Sequence, residues 1–78
     1  MRSLSMIARD IRADWKKPYF GAVPYIDAMG ACGSIRSAYG ADSAESIVRY
    51  FLNNAGTWRG DKARAIKTEL KAMLGGAS

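Results

Sequence analysis

The chain has 78 residues, of which 49% are hydrophobic, and its formal net charge is +5 at pH 7. This length predicts one domain over residues 1–78, and the apolar fraction is that of a globular protein. The sequence contains no histidine, so it lacks the usual general base and the commonest transition-metal ligand. We therefore expect a non-enzymatic protein without a cofactor or a metal.

The cysteine count, the apolar runs and the N-terminal charges indicate the cellular compartment. Cys32 is the single cysteine and cannot form an internal disulfide, which favours a reducing cytoplasm. No apolar run approaches the roughly 18–20 residues that a membrane span needs. Arg9, Asp10 and Arg12 interrupt any secretory apolar segment near the N-terminus. The sequence predicts a cytoplasmic protein that does not associate with a membrane.

A first helix is predicted over residues 3–17. Its apolar positions recur at steps of three and four residues, which is typical of one buried stripe. Ser3 or Ser5 can cap its start, and Pro18 cannot continue it. We expect Trp15 to lie on the apolar stripe and to be mostly buried. The other residues of the stripe are Leu4, Ile7, Ala8 and Ile11.

An aromatic corner follows, over residues 16–25. Pro18 ends one helix and Pro24 suits the first turn of the next, so the segment is an ordered corner rather than a flexible linker. Two interpretations remain open. In one, Tyr19 and Phe20 plug the end of a small core. In the other, part of the corner is exposed as a binding surface beside Lys16 and Lys17; Lys17 is the last residue of the predicted first helix.

The second helix is predicted over residues 24–39, with Gly40 as its left-handed C-terminal residue. Gly30 and Gly33 each weaken a helix interior by up to about 1 kcal/mol relative to alanine. Either another backbone approaches closely there, or the helix breaks between these glycines, which is the interpretation we favour slightly. Cys32 lies on the apolar side, so we expect an inert core thiol.

Two further helices are predicted over residues 43–54 and 61–74, with residues 75–78 as a frayed tail. Asp42 followed by Glu45 matches a capping box with Asp in place of Ser or Thr. Four short helices joined by short loops predict an all-α protein, a small compact bundle. The expected mutually buried residues are Leu4, Ile7, Ile11, Ile47, Val48, Phe51, Ile66 and Leu70.

Trp58 lies in a loop bounded by Gly56 and Gly60, with Arg59 beside it. It has no periodic stripe to join, so we consider two roles for it. In the first it is at least partly exposed and functional, since Trp and Arg are enriched in interface hot spots. In the second it forms a lid over the end of the bundle.

The positive charge is concentrated at the two ends of the chain. Residues 1–17 carry five basic and two acidic side chains, and residues 57–78 carry the same numbers. At roughly 100° per residue the basic side chains of each end helix fall on one flank of its apolar stripe. These flanks are either solvated helix faces or one shared positive surface for nucleic acid or an acidic protein. The basic flanks consist of Arg9, Arg12 and Lys16 on the first helix, and Arg64, Lys67 and Lys71 on the last.

Two stretches of the sequence carry a resemblance to a known group of proteins. One is Ile11 to Tyr25, above all Asp14-Trp15-Lys16 and the segment from Pro18, and the other is Ala55 to Asp61, which leads into residues 66–71. Both resemble small accessory proteins of bacterial conjugative elements and phages. The resemblance implies a genetic setting in which anti-defence proteins are common, including antirestriction and anti-CRISPR inhibitors, and it assigns no role to any residue. Inhibitors that mimic DNA are strongly acidic, whereas this chain is basic, so a mimic of that type is not expected.

These observations predict a small binding protein that inhibits or modulates a larger host-defence protein or ribonucleoprotein, with a CRISPR effector as one candidate partner. The alternative is a non-specific nucleic-acid-binding domain that uses a basic surface. A third hypothesis is a homo-oligomer formed through the side of the second helix that lacks bulky side chains. The predicted contact surface comprises Arg9, Arg12, Lys16, Lys17, Tyr19, Phe20, Trp58, Arg59, Arg64, Lys67 and Lys71.

Overall fold

A computed structural model describes residues 3–33, 38–39 and 42–76. The described residues contain four helices and one pair of two-residue strands, which confirms the all-α class. The helices are α1 (Leu4–Asp14), α2 (Val23–Gly30), α3 (Ala44–Asn53) and α4 (Asp61–Gly76). The strands β1 (Ala38–Tyr39) and β2 (Asp42–Ser43) pair antiparallel, with Ala38 opposite Ser43.

Helix α1 begins where the sequence predicts and ends earlier. The Ser3 side chain accepts a hydrogen bond from the backbone N–H of Met6, and the stripe of Leu4, Ile7, Ala8 and Ile11 is buried. The Trp15 N–H still donates to the Ile11 carbonyl, but Trp15 itself leaves helical geometry with φ −93° and ψ 87°. Residues 16 and 17 therefore belong to the corner and not to the helix.

Helix α2 is half as long as predicted. Pro24 lies in its first turn, and the helix stops at Gly30. The N–H groups of Ala31 and Cys32 donate to carbonyls three residues back, which closes the last turn. The break near Gly30 is confirmed, and the continuous helix to residue 39 is wrong because residues 38–39 form strand β1. Residues 34–37 and Gly40 lie outside the described residues.

Cys32 is buried next to this break, as expected for a core thiol. Burial raises the pKa of the Cys32 thiol, because the thiolate loses solvation. The group is therefore held further in its unreactive protonated form than a solvated cysteine.

The starts and ends of α3 and α4 differ in detail from the prediction. Ser43, not Asp42, caps α3, and its hydroxyl accepts from the Ser46 N–H at 3.1 Å. Asp42 lies one residue before this cap, in β2 opposite Tyr39. Helix α4 continues through Gly76, two residues beyond the predicted end of the helix at residue 74.

The core lies where α1, α3 and α4 turn their apolar stripes toward each other, with α2 packed against α1 and α3. All eight residues that the sequence places in the core are buried, and Trp15 joins them. Among the described residues no helix is long and apolar enough to cross a bilayer. The buried set also includes residues outside the predicted stripes, namely Ala22, Ile26, Ala55 and Trp58.

Phe51 is the largest fully buried side chain. Replacing it by alanine should lower the free energy of unfolding by about 3–5 kcal/mol, because a cavity replaces the ring. Most of the stability of a domain this small would be lost. Thermal and denaturant melts followed by circular dichroism measure the change. Arg49→Ala, on the exposed side of the same helix, should stay within about 0.5 kcal/mol of the parent. A Phe51→Ala protein that melts like the parent would contradict this packing.

Candidate binding site

Trp58 is a core residue. Only 2% of its surface is exposed, so the expectation that it is exposed on a contact surface is wrong. Its ring stacks on Trp15 with centroids 5.6 Å apart and planes 10° apart, and it meets the edge of Phe51 at 6.2 Å. The indole N–H donates to Asp14 Oδ2 at 2.8 Å. Trp58 thus covers the end of the core beside the last turn of α1.

Lys67 holds Trp58 from the other side. Its Nζ donates to the Trp58 carbonyl at 2.6 Å and lies 5.9 Å from the centre of the ring. Partial burial lowers the pKa of Lys67, and the positive charges of Lys71 and Arg59 lower it further. Three of the predicted contact residues are therefore grouped: Arg59, Lys67 and Lys71.

The basic flank of α1 does not join that group. Arg12 forms an ion pair with Asp27 of α2, whereas Asp14 faces Trp58. Positions 12 and 14 lie roughly 200° apart around a helix. The side of α1 that carries Arg12 therefore faces α2, and the side toward Trp58 and Lys67 is the acidic one. The predicted shared surface of both basic flanks is not formed, and Lys16 lies beyond the helix that would have placed it there.

The aromatic corner is exposed. Phe20 exposes 80% of its surface and Tyr19 46%, so the interpretation that they plug the core is wrong. The two rings lie 4.8 Å apart. Their backbone is ordered: the Ala22 N–H donates to the Tyr19 carbonyl at 2.8 Å, and Ala22 is fully buried. Lys16 and Lys17, just before the turn, are exposed as well.

Gly21 allows Tyr19 to lie against the turn. A Cβ atom at this position would lie 2.6 Å from Tyr19 Cε2 and 3.1 Å from Asn54 Oδ1. The corner is therefore in contact with the C-terminal end of α3. The Asn54 amide also donates to the carbonyl of Tyr50 at 2.8 Å.

Two more tyrosines extend this surface. The Tyr50 ring is about half exposed and lies 5.5 Å from the ring of Tyr25, which is partly buried against the core. The predicted contact surface contains neither Tyr25 nor Tyr50. The signal for Tyr50 is an aromatic residue away from the buried side of α3, which carries Ile47, Val48 and Phe51. We call the set of Tyr19, Phe20, Tyr25 and Tyr50 the aromatic surface.

The sequence segments that carry the aromatic surface are basic. Residues 15–26 and 46–60 contain Lys16, Lys17, Arg49 and Arg59 and no aspartate or glutamate, although each segment is bounded by an acidic residue at both ends. Within the described parts of the chain, no group of three His, Cys, Asp or Glu side chains could hold a metal ion. Comparison with protein-family models, with curated proteins and with solved structures finds no match to this chain.

The hydrogen bond between Trp58 and Asp14 can be tested on its own. Asp14→Ala should lower the free energy of unfolding by about 1–3 kcal/mol, because the indole N–H loses its acceptor inside a partly buried contact. Asp14→Asn keeps an acceptor oxygen and should lose less. Denaturant unfolding followed by tryptophan fluorescence measures both variants. Equal stability of Asp14→Ala and the parent would show that the bond contributes nothing.

Proposed function

We propose that this chain is a small non-enzymatic binding protein of a mobile genetic element, which inhibits or modulates a larger host-defence protein or ribonucleoprotein, such as a CRISPR effector. The aromatic surface is its contact site. The observation that carries the proposal is the exposure of Phe20 and Tyr19 on an ordered turn. Single exposed apolar residues are common, but neighbouring exposed aromatic rings are typical of interfaces.

The order of the turn supports binding. Trp15 and Ala22, on either side of the corner, are both buried, and the turn between them is closed by a backbone hydrogen bond. Phe20 is therefore presented in a fixed position before any partner arrives. Less conformational entropy is lost on association when the contact residues are already ordered. Aromatic side chains held in this way are characteristic binding hot spots.

The basic side chains near the aromatic surface and the resemblance of residues 11–25 both bear on the kind of partner. Lys16, Lys17 and Arg49 are exposed and lie in the segments that carry the aromatic surface, which supports a partner with an acidic patch. The complementary patch on a partner is acidic around an apolar pocket that accepts Phe20. The resemblance of residues 11–25 to accessory proteins of conjugative elements and phages supports a defence system as the source of that partner.

The alternative of a non-specific nucleic-acid-binding domain depended on one extended basic surface. Arg12 of α1 is paired with Asp27 of α2, whereas the side of α1 that faces Trp58 carries Asp14. The basic flank of α1 therefore does not continue into the basic flank of α4, which weakens the support for nucleic-acid binding. Protein binding and nucleic-acid binding also respond differently to salt. Affinity for nucleic acid should fall steeply with salt concentration, whereas binding through buried aromatic anchors should change modestly.

Phe20→Ala tests the proposal. The chain is expressed in bacteria that carry an active CRISPR or restriction system, and the efficiency of phage plating or plasmid transfer is measured. The parent chain should raise that efficiency, and Phe20→Ala should not. Truncating a hot-spot residue lowers affinity by roughly 30-fold or more. Thermal stability should be unchanged, since the ring is exposed.

Met6→Ala is the matched control, because Met6 is also exposed and apolar but lies on α1 away from the corner. It should behave as the parent. Pull-down from lysate with and without nuclease treatment then distinguishes a protein from a nucleic-acid partner. Capture of nucleic acid without any protein, or equal loss in Met6→Ala and Phe20→Ala, would contradict the proposal.

Gly21→Ala tests whether the fixed position of Tyr19 matters. The new methyl group must displace the Tyr19 ring, which can move because its far end is the contacting part. We expect stability within about 0.5 kcal/mol of the parent and a clear loss of partner binding. Ring contacts of Tyr19 measured by NMR report the displacement. Unchanged binding with a displaced ring would remove Tyr19 from the contact site.

A further inference from the structure

A second surface lies beside Trp58, at the start of α4. It is an open cavity of about 270 Å³, lined by Trp58, Arg59, Gly60, Ala63, Arg64 and Lys67. Three of these six residues carry a positive charge and none carries a negative one. We propose that this cavity binds an anionic phosphate group, independently of the function proposed for the aromatic surface.

The cations are available for a ligand. Lys67 uses one of its three N–H donors on the Trp58 carbonyl, which fixes the ammonium group at the cavity and leaves two donors. Within the part of the chain that the structure describes, neither Arg59 nor Arg64 forms an ion pair with a carboxylate. Asp61 follows Gly60 directly, but it does not line the cavity.

Like charges repel each other at this cavity. Partial burial lowers the pKa of Lys67, and the positive charges of Lys71 and Arg59 lower it further. A bound anion relieves this repulsion, and guanidinium groups match the geometry of phosphate oxygens. Phosphate is favoured over a carboxylate because three cationic donor groups line the cavity, and a phosphate offers them more negative charge and more acceptor oxygens. The Trp58 ring is buried and offers no face for stacking a base.

NMR of the whole protein tests the site. Backbone amide shifts are followed during titration with sodium phosphate, and in parallel with sodium chloride at the same ionic strength. We expect saturable shifts at Gly60, Ala63 and Arg64 with phosphate only. Lys67→Met keeps the aliphatic stem and should weaken phosphate binding by about tenfold, because one charge-assisted hydrogen bond is lost.

Lys62→Met is the matched control, since it removes the same charge from the same helix at an exposed position that does not line the cavity. It should bind phosphate as the parent does. If Lys67→Met proves unfolded by circular dichroism, Arg64→Gln replaces it, because that side chain is exposed. Equal weakening in Lys62→Met, or phosphate shifts no larger than those with chloride, would overturn the proposal.

A second titration identifies the source of the phosphate. A short thymidine oligonucleotide presents phosphodiesters, and free phosphate represents small anions. Saturation by the oligonucleotide at lower concentration, with the same residues shifted and the same loss in Lys67→Met, assigns the site to a nucleic-acid backbone. Saturation by free phosphate alone assigns it to a small phosphate ligand. Shifts at other residues only would contradict this location.

Discussion

The stack of Trp15 on Trp58 is the contact on which the rest of the structure depends. It joins the residue that ends α1 to a loop that has no regular structure of its own. Trp15 turns its ring into the core at the point where the chain leaves α1, and the corner that presents Phe20 begins at the next residue. Because Trp58 is held under Lys67, the start of α4 is fixed beside it. The same pair of rings therefore positions both the aromatic surface and the cavity that Arg59, Arg64 and Lys67 line.

The parts of the fold that could be predicted are those with a repeating pattern. Three apolar stripes identify α1, α3 and α4, and every core residue taken from them is buried. The sequence predicts an α2 that is too long, because the apolar spacing continues past Gly30, although the glycines there weaken the helix. The end of α2 depends on the structure that the following residues adopt, here the pairing of β1 with β2. Strands of two residues are too short to show an alternating apolar pattern in the sequence, so this pairing could not be predicted.

The candidate site was harder to predict, for a physical reason. Whether a loop aromatic is buried depends on which other elements pass over it, and no local pattern encodes that. Trp58 and Phe20 both lie in short segments beside glycine and basic residues, yet one is in the core and the other in solvent. The same limit applies to the charged residues. Their spacing along the sequence predicts on which side of a helix they lie. Which other helix packs against that side depends on the tertiary fold and cannot be predicted from spacing. Asp14 and Lys67 in fact contact the same tryptophan from two sides.

The distance along the chain between the two stacked tryptophans has a consequence for how the protein is made. Most contacts in a helical protein are local and can form early, but this one closes a loop of more than half the chain. The rings of Trp15 and Phe51 lack the cover of Trp58 until that residue has been synthesised. Until then the growing chain exposes an apolar end that chaperones can bind. The contact that closes this end of the core therefore forms only after α1, α2 and α3 have been made.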